Sequence, residues 1–173
     1  MKRFLLILSL LLALLMLLSA CGSKDPAEES IELVAEALFT GPNDFILEHY
    51  EEMRSTDIER VDELTEEFRN LFPEVTAVCT ESGMDDFVLP AATLQVMEAN
   101  DGLTSTVKST KVEVASENSR TYTFTCIVLL ESGDERQEVE VSGKVQLNDE
   151  GKISYIDGNT PLYVLMDALI RMM

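Results

Sequence analysis

Histidine is nearly missing from this 173-residue chain: His49 is the only one. A hydrolase triad or a histidine-rich metal centre draws on imidazole, so either would have to be built around that one side chain. Basic residues are scarce as well, thirteen Lys and Arg against thirty-two Asp and Glu. With no concentrated Lys/Arg stripe to neutralise phosphates, nucleic acid is excluded as a natural partner, and so is an electrostatic grip on anionic lipid. No CxxC, HExxH, GxSxG or glycine-rich phosphate loop occurs, so no motif calls for a cofactor or a metal. Asp85-Asp86 and Asn148-Asp149-Glu150 could offer oxygens to calcium but lack the ligand spacing of an EF-hand loop. The first pair reads as charge near a helix start and the second as a hairpin turn. Internal repeats and low-complexity tracts are absent too.

What is present begins with the N-terminus. Met1, Lys2 and Arg3 precede an uncharged run from Phe4 to Leu18, followed by Ser19, Ala20 and Cys21. That order is a basic n-region, an apolar h-region and a small-residue cleavage site. Fifteen residues at 1.5 Å each reach about 22 Å as a helix, short of the roughly 30 Å that a stable span needs, so the segment reads as targeting rather than permanent anchorage. Leu18-Ser19-Ala20-Cys21 resembles the lipobox of bacterial lipoproteins. The resemblance implies that residues 1–20 are a signal peptide, that the thiol of Cys21 receives a diacylglyceryl group, and that cleavage leaves Cys21 as the mature N-terminus. Two acyl chains would then hold the protein on the extracytoplasmic face of the membrane, since each buried methylene contributes about 0.8 kcal/mol. Two of the thirteen basic residues, and none of the acidic ones, precede Cys21, which leaves a formal −21 on the mature chain. Such a charge suits a solvated, self-repelling surface.

Residues 21–29, with Gly22-Ser23 and Pro26, read as a flexible tether, and residues 30–173 as one α+β domain. Ile31, Val34, Ala35, Leu38 and Phe39 repeat at three-four spacing and predict a helix ended by Gly41-Pro42. Asn43 can cap a second helix that turns Phe45, Ile46, His49, Tyr50 and Met53 inward. Thr56-Asp57-Ile58-Glu59 matches a capping box, with Thr56 as the N-cap of a third helix whose stripe is Ile58, Val61, Leu64, Phe68 and Leu71. Val75 to Thr80 reads as a short strand, and Pro90 to Ala99 as a helix with its proline in the first turn and Asn100-Asp101-Gly102 as exit. Gly83 and Gly102 read as turn residues.

From Leu103 the apolar period becomes two. Tyr122, Phe124, Cys126, Val128 and Leu130 share one strand face, as do Val139, Val141, Gly143, Val145 and Leu147 on the next. Turns are expected at Glu117-Asn118-Ser119, Ser132-Gly133-Asp134 and Asn148 to Gly151, with a short strand over Lys152 to Asp157. Thr160-Pro161 suits the start of a last helix. Cys79 and Cys126 either close a 48-residue loop, which would stabilise the fold by about 4 kcal/mol, or stay as two buried thiols.

Helices followed by a long antiparallel meander resemble the nuclear transport factor 2-like and cystatin-like cone folds, over about Ser30 to Asp157. The resemblance implies N-terminal helices packed on a curved meander, with a pocket between helices and sheet that members use for catalysis, for ligands or for dimerisation. His49, Tyr50 and Tyr122 are the pocket candidates. Asp44, five residues before His49, is the orienting partner considered, but five residues of helix turn through about 140° net and would point the two apart. The expected function is a non-catalytic module binding a small ligand or another envelope protein. An enzyme using a pocket His/Asp/Tyr group is the alternative.

Overall fold

The computed structural model describes residues 25–55, 57–116 and 119–172. The signal-peptide helix, Cys21, the Thr56 cap and Glu117-Asn118 of the first expected turn lie outside them. Among the described residues there are six helices, here α1 (Pro26–Leu38), α2 (Asp44–Met53), α3 (Ile58–Arg69), α4 (Pro73–Val78), α5 (Glu81–Asp101) and α6 (Asn159–Met172), and four strands, β1 (Thr104–Val114), β2 (Thr121–Ser132), β3 (Glu135–Leu147) and β4 (Ile153–Ile156). The strands form one open antiparallel sheet in the order β1-β2-β3-β4. The class is α+β.

The period-two reading holds strand by strand. Phe124, Cys126, Val128 and Leu130 are buried on β2, and Val139, Val141, Val145 and Leu147 on β3, while Glu138, Glu140, Ser142, Lys144 and Gln146 are exposed. Cys126 lies opposite Val141, and Phe124 opposite Gly143, so one face of both strands meets the helices. Along β1 the register shifts between Val107 and Ser109, placing a bulge at Lys108. Ile31, Val34, Ala35 and Leu38 of α1, and Leu162, Leu165, Ala168 and Leu169 of α6, complete the same core.

Several expectations need correction. The helix begins at Pro26, with Asp25 accepting from the Ala27 amide at 3.0 Å, so the tail of the expected tether is cap and first turn. Asp57, not Thr56, is the N-cap of α3, through Arg60 N at 3.3 Å. Of that helix's stripe only Leu64 and Phe68 are buried; Ile58 and the following Leu71 face solvent. Val75 to Val78 is helical: Pro73 sits in a first turn, and a valine-alanine alternation this short cannot outweigh it. The Pro90–Ala99 expectation covers half of α5, which starts at Glu81 under a Thr80 cap and carries Pro90 in its interior. Asp157, rather than Thr160, supplies the side chain at the head of α6, accepting from Thr160 N at 3.2 Å.

Asp85 and Asp86 are therefore helical. Asp85 pairs with Arg69 at 2.5 Å, and Asp86 accepts from the Ile156 amide at 3.1 Å, tying α5 to β4. Gly83 is no turn residue but the point where α5 meets β4. A Cβ there would lie 2.3 Å from the Ile153 carbonyl oxygen, while Thr80 N donates to that same oxygen at 2.8 Å. Asn148 does organise a hairpin, accepting from Glu150 N and Lys152 N.

On the helical side four phenylalanines run as a chain: Phe45 to Phe68 at 6.3 Å, Phe68 to Phe72 at 5.0 Å and Phe72 to Phe87 at 5.0 Å, the last two edge-on. They join α2, α3, the entry to α4 and α5, with aromatic geometry adding about 0.5–1.5 kcal/mol per pair to the burial.

Candidate functional site

The residues singled out from the sequence do not converge. Asn43 caps α2 through Ile46 N at 2.9 Å, so Asp44 opens the helix that also carries His49, and the two diverge as the helical rotation requires. His49 instead meets Glu52, Nδ1 to Oε1 at 3.4 Å, on a partly exposed face, with the Phe45 ring 4.6 Å away and tilted by 47°. Glu52 is shared with Arg60 at 2.6 Å. Arg60 first, and then His49, holds its carboxyl below the ordinary range. The Tyr50 hydroxyl donates to Asn100 Oδ1 and accepts from Arg54, which fastens α2 to the end of α5. Tyr122 is half-buried on β2 opposite Val145, whereas α2 packs on α3 and α5.

Cys79 and Cys126 are two separate, buried thiols, so the bridge considered above is not formed. Cys79 ends α4 beside Ile153, while Cys126 points into the sheet core with Thr110 Oγ1 3.5 Å from its sulfur. Burial pushes the Cys79 thiol up to about 12 and raises that of Cys126, so neither is a thiolate near neutral pH.

Polar groups do converge elsewhere. Gln95, Glu98 and Ser105 are buried where α5, the loop after α1 and the start of β1 meet. Gly41 exchanges backbone hydrogen bonds with Ser105, at 3.2 and 2.9 Å, and a Cβ on it would lie 2.5 Å from Gln95 Cγ and 2.9 Å from Glu98 Oε2. Only glycine lets the loop sit this close. Gln95 is bonded at both polar atoms, its Nε2 donating to Thr40 O at 3.2 Å and its Oε1 accepting from Asn43 N at 3.1 Å. Glu98 is not. Burial pushes its carboxyl up to about 8, and the neighbouring Ser105 hydroxyl pulls it back only in part. That contact falls outside hydrogen-bond geometry, so both Glu98 oxygens and Ser105 Oγ are buried without a partner. At neutral pH Glu98 is thus held as the acid, a donor in apolar surroundings.

Beside this node opens a cleft of about 320 Å³ lined by Leu33, Ala37 and Phe72, with Glu36, Thr40, Asn43 and Gln95 as its polar groups. It shares Leu33, Ala37 and Phe72 with a second hollow of about 220 Å³ that runs past Leu71, Pro73 and Glu74 to Val75. Together they make a groove between α1 and α4 with an apolar floor of Leu33, Ala37 and Phe72 and polar groups around it, Glu36 and Glu74 among them, a mixture found in small-molecule and peptide sites. His49 and Tyr122 line neither part.

The signal that could have pointed to Glu98 is its place in a buried stripe. Phe87, Ala91, Leu94 and Glu98 follow one another at four- and three-residue steps, so the carboxylate continues an apolar face. Among the described residues no helix is long and apolar enough to cross a membrane. No family model matches the chain, and no curated protein matches it by sequence.

Proposed function

We propose that the protein is a bacterial lipoprotein of the cell envelope, anchored at Cys21 to the extracytoplasmic face of the membrane. Its domain serves there as a non-catalytic binding module for a small ligand or another envelope protein. One observation carries the anchor: Leu18-Ser19-Ala20-Cys21 directly behind a basic start and a fifteen-residue uncharged run. The groove supports binding, since Leu33, Ala37 and Phe72 give it an apolar floor and Glu36, Thr40, Asn43 and Gln95 give it polar groups. The enzyme alternative loses ground because His49 and its carboxylate, Glu52, share a partly exposed helix face away from that groove. Cone-like kinship with nuclear transport factor 2-like and cystatin-like domains belongs to the same proposal, and helices before an antiparallel meander are its support.

The test is metabolic labelling with a fatty-acid analogue. The wild type takes the label and stays with the membrane fraction, and Cys21→Ala loses both. An unlabelled wild type refutes the anchor.

A further inference from the structure

We infer that the domain stands end-on to the membrane, with the turns joining β1 to β2 and β3 to β4 facing the lipid head groups and the β2–β3 hairpin held farthest out. This rests on the lipidation of Cys21 proposed above and adds a direction to it.

The link from the acylated residue to the fold is short. Cys21 is five residues from Pro26, where α1 starts, so the fold begins no more than about 17 Å from the acylated residue. At the far end of α1, Gly41 pairs with Ser105 near the beginning of β1. Further back along α1, Glu32 and Glu36 share a cleft with Val107, Lys108, Ser109 and Thr110. Going backward on the helix is thus going forward on the strand, and the first turn of α1 points toward the end of β1.

Two turns meet at that pole. The Arg120 carbonyl, just before β2, accepts from Leu147 N at 2.9 Å, and the Arg120 guanidinium pairs with Asp149 in the β3–β4 turn. The β2–β3 turn at Gly133 is at the other pole, a whole strand away. Twelve residues of β2 at about 3.3 Å each span roughly 40 Å, more than twice the reach of the link.

A tethered body could still lie on its side. Its flanks oppose that: Glu138 and Glu140 stand on the outer face of β3, and Glu59, Asp62, Glu63 and Glu66 line the open side of α3. An anionic lipid surface repels both within a Debye length, whereas at the proposed membrane pole Asp149 is paired with Arg120 and Glu150 has Lys152 two residues on. The upright posture leaves the β2–β3 hairpin facing away from the lipid.

The experiment uses the full chain, acylated in cells and reconstituted into vesicles of phosphatidylethanolamine and phosphatidylglycerol that carry a nitroxide on the head group. A fluorophore is attached in Glu150→Cys, in the β3–β4 turn, or in Asp134→Cys, in the β2–β3 turn. The wild type, with Cys79 and Cys126 buried, is the blank. Quenching should be several-fold stronger for Glu150→Cys, and a long Gly-Ser insertion after Gly22 should erase the difference. Equal quenching, or stronger quenching of Asp134→Cys, in a chain whose mass shows acylation overturns the orientation alone. A wild type lacking the acyl mass overturns the anchor and the orientation with it.

Discussion

The sheet side and the outer helices α2 and α3 solve the burial problem differently. On β2 and β3 every second side chain enters one continuous core, and two long ladders hold the register. α3, by contrast, buries only Leu64 and Phe68, α2 only Ile46, and both lean on α5 through the phenylalanine chain. Ile58, Leu71 and Leu89 stay exposed nearby, and the ion pair Arg60–Glu52 lies at the surface, where solvent screens it and it adds little. Stability in this chain is therefore uneven, high across the sheet and low in the outer helices.

The strongest way to break the comparison is to remove one ring from each side. Phe124→Ala and Phe68→Ala each delete a fully buried phenyl and should each cost about 3–5 kcal/mol in urea unfolding. The sites separate in hydrogen exchange. Phe68→Ala should speed exchange in α2 and α3 while the β2–β3 ladder keeps its protection, and Phe124→Ala should loosen both. Equal loss of protection in ladder and helices for Phe68→Ala would mean that the domain is one cooperative unit.

A smaller effect comes from the node between the two sides. Glu98 keeps its proton in the folded chain up to about pH 8, whereas the unfolded chain releases it near its ordinary value of 4.5. Between these values the folded state binds more protons, so stability contributed by this group is complete below about 4.5 and falls as pH rises through about 8, by an amount on the order of a few kcal/mol. Glu98→Gln should flatten that part of the profile and leave the variant more stable than wild type at alkaline pH. A wild-type profile without the decline, measured by denaturation across pH, would contradict the assignment.

The smallest expected effect is none. With Cys79 and Cys126 as separate buried thiols, reductant should leave the melting temperature of the mature protein unchanged. A thiol reagent should find both cysteines only after denaturant is added. A lower melting temperature in reductant would show that a bridge had formed.

The same contrast explains what could be read from the sequence. Strands with one wet face print their burial as a period of two, so Phe124 to Leu130 and Val139 to Leu147 were legible residue by residue. Asn43 was legible because an Asx cap is a local hydrogen bond. α5 was not: Phe87, Val88, Pro90, Ala91, Ala92, Leu94, Gln95 and Glu98 are buried around much of its circumference, which erases the one-sided stripe, and Pro90 in mid-helix imitates a start. The node around Glu98 was hidden for a related reason. It joins residues 41, 95, 98 and 105 through backbone approach at Gly41 and Ser105, which only tertiary packing determines.

The bulge at Lys108 has a consequence for crowding. β1 is an edge strand of eleven residues, long enough to template pairing with another chain. Its register breaks at Lys108, Gly41 occupies the backbone groups of Ser105, and Lys111 adds a second exposed ammonium beyond the break. Along β1 the open amides are thus broken into shorter runs, which lowers the tendency of chains concentrated side by side to join their sheets through this edge.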